Sequence, residues 1–152
     1  MAYEADHRKS TAIHEAGHAV VAWGPRAQAW QIRIAIDGDP AKGGAEIEED
    51  QDHLPLIDRL AICVAGIDAQ DLFEVEGHAF SGMSDMGRVC QLVGDDFSER
   101  EALGLRNAGY DKAREKLVRH LAKVEAVANA LAKAGELDQQ ALEILLNGNP
   151  PT

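Results

Sequence analysis

Ile13, Ala16, Val20 and Trp23 recur at three- and four-residue steps, which predicts an amphipathic helix over about 4–23, stopped by Gly24-Pro25. The pattern then changes period. Trp30-Gln31-Ile32-Arg33-Ile34-Ala35-Ile36 alternates polar and apolar residues and reads as a strand, and 37–44 carries the glycines and proline of a turn. Ala45-Glu46-Ile47-Glu48 is the natural returning strand of a two-stranded ribbon. Pro55, with Asp52 or His53 before it, suits the first turn of a second helix whose stripe is Leu56, Ile57, Leu60, Val64 and Ile67, continuing to Phe73. After a glycine-bearing segment over 74–82, Ser84 is a fitting N-cap for a third helix through Met86, Val89, Cys90, Leu92 and Val93. An acidic, glycine-flanked connection over 94–104 follows. From Asn107 to about Lys133, Tyr110, Ala113, Leu117, Leu121, Val124, Ala128 and Leu131 predict one long amphipathic helix, basic outside and capped by Gly135. Asp138 opens a short last helix through Leu142, Leu145 and Leu146, ended by Gly148 and Pro150. These elements describe a mainly α single domain over 1–152, a helical array with a small β-ribbon.

Composition narrows the partners. With 152 residues the chain is long enough for one core, and a net charge of −11 argues against nucleic acid and anionic membrane surfaces, which select basic patches. Between Asp37 and Asp58 the only basic residue is Lys42, so this stretch is expected to be a solvated acidic face or a rim that favours basic peptides. Cys63 and Cys90 are too few for a disulfide framework and are expected to be reduced, buried thiols. No apolar run approaches the ~20 residues that span a bilayer, and the first six residues lack a signal-peptide pattern. The expectation is a soluble, cytoplasmic protein without membrane insertion.

The chemistry is concentrated in the first helix. His14-Glu15-Ala16-Gly17-His18 is an H-E-x-x-H pentapeptide. Residues four apart lie on one helix face, so two imidazoles can converge on one ion, with Glu15 placed as general base rather than ligand. Gly17 leaves room between the histidines for close packing or substrate approach. A catalytic zinc takes a third protein ligand. Asp71, Glu74, Glu76, His78 and Asp85 are candidates; Asp85 stands out at an apparent loop-to-helix junction, where a helix N-terminus would steady its charge, and His78 is its rival.

With these residues in place, the chain resembles the peptidase domain of the FtsH-type ATP-dependent zinc metalloproteases. His14-Glu15-Ala16-Gly17-His18-Ala19 matches that family's H-E-A-G-H-A helix, and Ala65-Gly66-Ile67-Asp68-Ala69-Gln70-Asp71 is similar to its A-G-R-x-A-E-E segment. Ser81-Gly82-Met83-Ser84-Asp85 resembles its T-G-A-S-N-D pattern with one residue fewer, and Asp96-Phe97-Ser98-Glu99 resembles G-F-S-E. The similarity runs from about Arg8 to Leu146. It implies a zincin-type active-site helix, Zn²⁺ held by His14, His18 and Asp85, Glu15 as base, and hydrolysis of unfolded or extended polypeptides. Ile67 and Gln70 depart from the family pattern, so support of a ligand would fall to the Gln70 amide oxygen or to Asp71.

Ile32, Ile34 and Ile36 are expected along a substrate rail, because an extended peptide can add to an exposed strand edge. The resemblance further implies a ring-forming homo-oligomer. The 152 residues contain no phosphate-cradling G-x-x-x-x-G-K-[ST] loop, so a separate ATPase or an already unfolded substrate is expected. The contrasting expectation is a non-catalytic peptide- or partner-binding module that keeps the metallopeptidase fold, and a different zincin using His78 is a third.

Overall fold

The computed structural model describes residues 2–23, 31–36, 44–48, 54–76 and 79–147. Six helices and three short strands follow one another as α1 (Ala2–Ala22), β1 (Gln31–Ala35), β2 (Gly44–Glu48), α2 (Leu56–Leu72), α3 (Ala79–Val93), α4 (Glu99–Arg119), α5 (Leu121–Ala134), β3 (Glu136–Leu137) and α6 (Gln139–Leu146). The chain is mainly helical. The expected stops at Gly24-Pro25 and at Gly148 and Pro150, the turn over 37–43 and His78 lie outside the described residues.

α1 is the centre of the array, packed between α2 and α5, while α2 also carries α3 and α4. Every residue from Ala12 to Ala22 is buried, more than one face of an ordinary surface helix provides. Small side chains make this possible. A Cβ on Gly17 would stand 2.6 Å from both the Ala65 carbonyl oxygen and the Ala69 Cβ, so the room at Gly17 is taken by the backbone of α2. Gly109 admits Leu60 in the same way where α4 crosses α2. Apolar residues of all six helices, β1 and β3 join in one core, with Ile34, Leu60, Leu117, Leu131, Leu142 and Leu146 among its fully enclosed members.

The ribbon has three strands rather than two. β1 pairs antiparallel with β2, Gln31 opposite Glu48 and Ala35 opposite Gly44, and on its other side with β3, Ile34 opposite Leu137. Two residues make too short a run to show period-2 alternation, which is why β3 is invisible in the pattern. Gly135, left-handed at φ 80°, ends α5 and turns the chain into β3, and its carbonyl accepts the Ile36 N–H at 2.9 Å.

Three expected helix boundaries move. The connection assigned to 94–104 ends at Ser98, whose hydroxyl accepts the Glu101 N–H at 3.1 Å while Glu101 returns a bond to the Ser98 N–H. This capping box satisfies two orphan donors and outweighs the interior Gly104. The single helix expected from Asn107 breaks at His120, where α4, lying on α2, gives way to α5, lying on α1. Apolar spacing runs straight through the break because both helices bury residues at the same three- and four-residue steps. α3 begins at Ala79, five residues before the expected Ser84, since Met83, Met86, Val89 and Val93 keep helical spacing across Ser84. Asp85 therefore stands inside a helix and not at its opening. Cys63 is buried, as expected, but Cys90 is exposed, because α3 turns Val89 and Val93 inward.

Candidate metal centre

His14 and His18 face the same side of α1, and Asp85 of α3 meets them. Asp85 Oδ2 lies 2.9 Å from His14 Nε2 and 3.1 Å from His18 Nε2, and the two Nε2 atoms are 3.2 Å apart. The imidazoles meet edge to face at 74°. His14 and His18 are buried, and the Asp85 side chain is 20 % exposed, which makes it the open side of the trio. Among the described residues this is the one cluster of three metal-ligating side chains.

What lies behind each ring decides its chemistry. His18 Nδ1 is 2.7 Å from the Ile62 carbonyl oxygen, an atom that only accepts, so Nδ1 carries the proton and donates it. His14 Nδ1 is 3.0 Å from Gln70 Oε1, while Gln70 Nε2 donates to the Ser10 carbonyl and to Ser10 Oγ, each at 3.1 Å. With the amide nitrogen committed to Ser10, its oxygen faces His14, and His14 too is protonated at Nδ1. Both Nε2 atoms then present lone pairs to one another and to a carboxylate. Three mutually facing acceptors repel unless a proton or a cation sits among them.

Without a cation the proton settles on His18. Burial disfavours its charge, but the hydrogen bond it donates to Asp85 and the Asp85 and Glu15 carboxylates outweigh burial and raise its pKa to about 9. Asp85 shows the reciprocal effect: burial pushes its carboxyl up, and the two histidines hold it down at about 2. The donor set also fits a metal ion. Four-coordinate zinc with bonds of ~2.0–2.1 Å puts neighbouring ligand atoms ~3.3 Å apart, within a few tenths of an ångström of the three edges found here. Each imidazole already makes the outer hydrogen bond that fixes its ring in metal sites. Two imidazole nitrogens and a carboxylate oxygen suit zinc and other first-row divalent ions.

Glu15 is 5 % exposed and its Oε2 has no hydrogen-bond partner among the described residues. Burial raises its pKa above the usual carboxylate range, and Asp85 adds to the rise, against the lowering pull of His18 and His14. A buried carboxyl with a free oxygen and an upward-shifted pKa is equipped to take and return a proton.

Gln70, buried on α2, reaches His14, whereas Asp71 is exposed and bonds Arg114 at 3.2 Å, so the supporting contact belongs to Gln70 alone. Ile34 is wholly enclosed in the core and offers nothing to a substrate, because β3 and α6 cover that side of β1. Ile36 is half-buried, and the Ile32 side chain lies outside the described residues. Glu74 and Glu76, offered as third ligands, are exposed in the turn after α2. Sequence reasoning missed Ser10, the Ile62 carbonyl and Gly66. Ser10 had a signal, since it precedes His14 by the same four residues that separate His14 from His18. Gly66 was visible only as the glycine of the family-like segment: a Cβ there would lie 2.5 Å from His14 Nε2, a contact that only the crossing of α1 and α2 creates.

No protein-family model matches the chain, and no curated protein is significantly similar to it. No helix among the described residues is long and apolar enough to cross a membrane.

Proposed function

We propose that the chain is a zinc-dependent endopeptidase of the FtsH type, with α1 as a zincin-type active-site helix, acting on unfolded or extended polypeptides. The observation that carries this reading is the convergence of the His14 and His18 lone pairs with Asp85 Oδ2 beside Glu15 Oε2, which is unpartnered among the described residues. A 2-His-1-carboxylate set alone also serves iron. An adjacent buried carboxyl with one oxygen free among the described residues favours hydrolysis, where a base is needed, and zinc as the ion.

Bound zinc supplies a Lewis acid and brings the pKa of water held there from ~15.7 toward ~7. The chain's own residues do the rest. Gln70 and the Ile62 carbonyl keep both Nδ1 protons in place, so that both Nε2 lone pairs stay directed at the centre. Glu15 Oε2 accepts a proton from the attacking water, a step its raised pKa favours, and passes it to the leaving amine nitrogen. Because β1 is paired on both sides over Ile34 and Ala35, an extended substrate adds by backbone hydrogen bonds along the outer edge of β2.

Elemental analysis of the purified protein should return about one zinc per chain, and unfolded casein should be cleaved in a chelator-sensitive manner. Metal at full occupancy without turnover of any unfolded chain would leave the binding module instead. A protein that takes up no zinc ends the proposal.

A further inference from the structure

We infer that Ser10 is a positioning residue which, through the Gln70 amide, sets the proton on His14 and so keeps the His14 Nε2 lone pair available to a metal. The inference deepens the metallopeptidase reading and rests on the same site.

The hydrogen bonds form a chain with one direction. It starts at the Glu76 backbone carbonyl, which can only accept, and which receives the Ser10 hydroxyl proton. That proton is the hydroxyl's only one. Ser10 Oγ therefore meets Gln70 as an acceptor, and the Ser10 carbonyl stands beside it as a second, so both amide protons of Gln70 are drawn to Ser10 at 3.1 Å. The amide oxygen is left pointing at His14 Nδ1, 3.0 Å away, and demands a proton there. A reversed amide would set its N–H₂ against Nδ1, drive the imidazole proton to Nε2 and block the face that meets Asp85 and His18. A carboxylate at position 70 would accept from either oxygen and need no such orientation; a glutamine, having two different ends, does.

Place in the fold supports the role. Ser10 is 6 % exposed and Gln70 is 4 % exposed, so water does not compete for the bonds that join Ser10, Gln70 and His14. The chain also joins the elements of the site. Ser10 and His14 belong to α1 and Gln70 to α2, while Glu76 lies in the turn leading toward α3. That turn is held by Glu74 at φ 54° and by the Val75 N–H on the Gln70 carbonyl at 3.0 Å. Ser10 thus fastens the path toward Asp85 to the same amide that orients His14.

The test compares the wild-type chain with Ser10→Ala, Gln70→Glu and the double variant. It uses imidazole ¹H–¹⁵N spectra of the metal-free protein and zinc affinity by competition with a chelator. Wild type should show a single Nδ1–H tautomer at His14. Ser10→Ala should admit the Nε2–H form and weaken zinc binding by roughly tenfold, the lower range for an outer-shell change. In the Gln70→Glu background the same Ser10→Ala change should alter affinity by less than about twofold, because a carboxylate has no wrong way round. A Ser10→Ala protein with the wild-type tautomer and affinity overturns the inference. So does an equal loss in both backgrounds, which would assign Ser10 to packing. Alanine keeps the helix and removes one oxygen, and Ser10→Cys, a weak donor, gives the same comparison should the alanine variant not fold. If wild type takes up no zinc, the metallopeptidase reading fails while the tautomer comparison still decides the role of Ser10.

Discussion

α1 and α4 are both helices of 21 residues, and they are held in place by opposite means. α4 buries only Ala102, Gly109, Ala113 and Leu117 and advertises itself locally, with a capping box at Ser98 and Glu101 and an Arg119–Glu115 pair at 3.0 Å one turn apart. α1 is enclosed from Ala12 to Ala22, and its polar residues Ser10, His14, Glu15 and His18 are buried with it. Such groups are usually tolerated inside where partners satisfy them; for Ser10, His14 and His18 these come from α2, α3 and the turn at Glu76, while Glu15 Oε2 is left without one among the described residues. α1, which carries the candidate metal ligands His14 and His18, is thus specified mainly by tertiary contacts, whereas α4 also carries start and pairing signals of its own. Matched substitutions in the two helices test this contrast.

The largest difference is expected from Glu15→Gln set against Glu115→Gln. The first removes a base from the buried helix while keeping its volume; cleavage of unfolded polypeptide should fall by roughly 10²–10⁴-fold, the range for general-base catalysis, with zinc retained. Glu115→Gln removes only an exposed pair and should leave turnover unchanged. Full activity in Glu15→Gln would break the assignment of the base.

Titration comes next. In the metal-free protein the His18 pKa is raised from 6.5 to about 9, so its pairing with Asp85 stabilises fully below pH 6.5 and is lost as pH rises toward 9. The size is on the order of 3 kcal/mol for a shift of this extent. On the acid side Asp85, lowered from 3.8 to about 2, gives stability that is present above 3.8 and lost on descent through 2. α4 has an acid-side counterpart: Glu101 is held low by its cap bonds with Ser98, so its help also disappears at low pH. Thermal melts of chelated protein should therefore fall between pH 6.5 and 9. Zinc-loaded protein should escape that fall, since a ligating His18 is neutral throughout. Superimposable profiles would contradict the metal site.

Much of this contrast was legible in the sequence, though unevenly. α1, α2, α6 and the pairing of β1 with β2 follow from apolar period and from Pro55 and Asp138, and the convergence of His14 with His18 follows from a spacing of four. What escaped is non-local or too short. β3 depends on a register with Ile34, the enclosure of Ile34 on what covers β1, and the break at His120 on α4 and α5 having different partners. The start of α4 was readable at Ser98-Glu99-Arg100-Glu101 but was masked by flanking glycines. Asp85 stood out because of a supposed helix opening, yet it reaches the histidines from within α3.

Glycines sharpen the comparison further. Gly66→Ala places a methyl 2.5 Å from His14 Nε2, and the ring, held by Gln70 and Asp85, can make room only by leaving the site. Zinc affinity should drop by about 100-fold, the upper range for changes just outside a metal's ligands. Unaltered affinity would mean that α1 and α2 separate more easily than their packing implies.

The smallest effect, and the one with the opposite sign, belongs to α4. Gly17→Ala in α1 sets a methyl against the Ala65 carbonyl and should cost about 1–3 kcal/mol, as overpacking does. Gly104 sits inside α4 with nothing within 4 Å of where a Cβ would stand, so Gly104→Ala should stabilise by about 0.5–1 kcal/mol through helix propensity and the unfolded chain's lost freedom. Urea unfolding of the two variants, at equal m-value, measures both. Opposite signs are required if tertiary contacts specify α1 and local preference specifies α4; a destabilised Gly104→Ala would show that α4, too, meets a partner along that face.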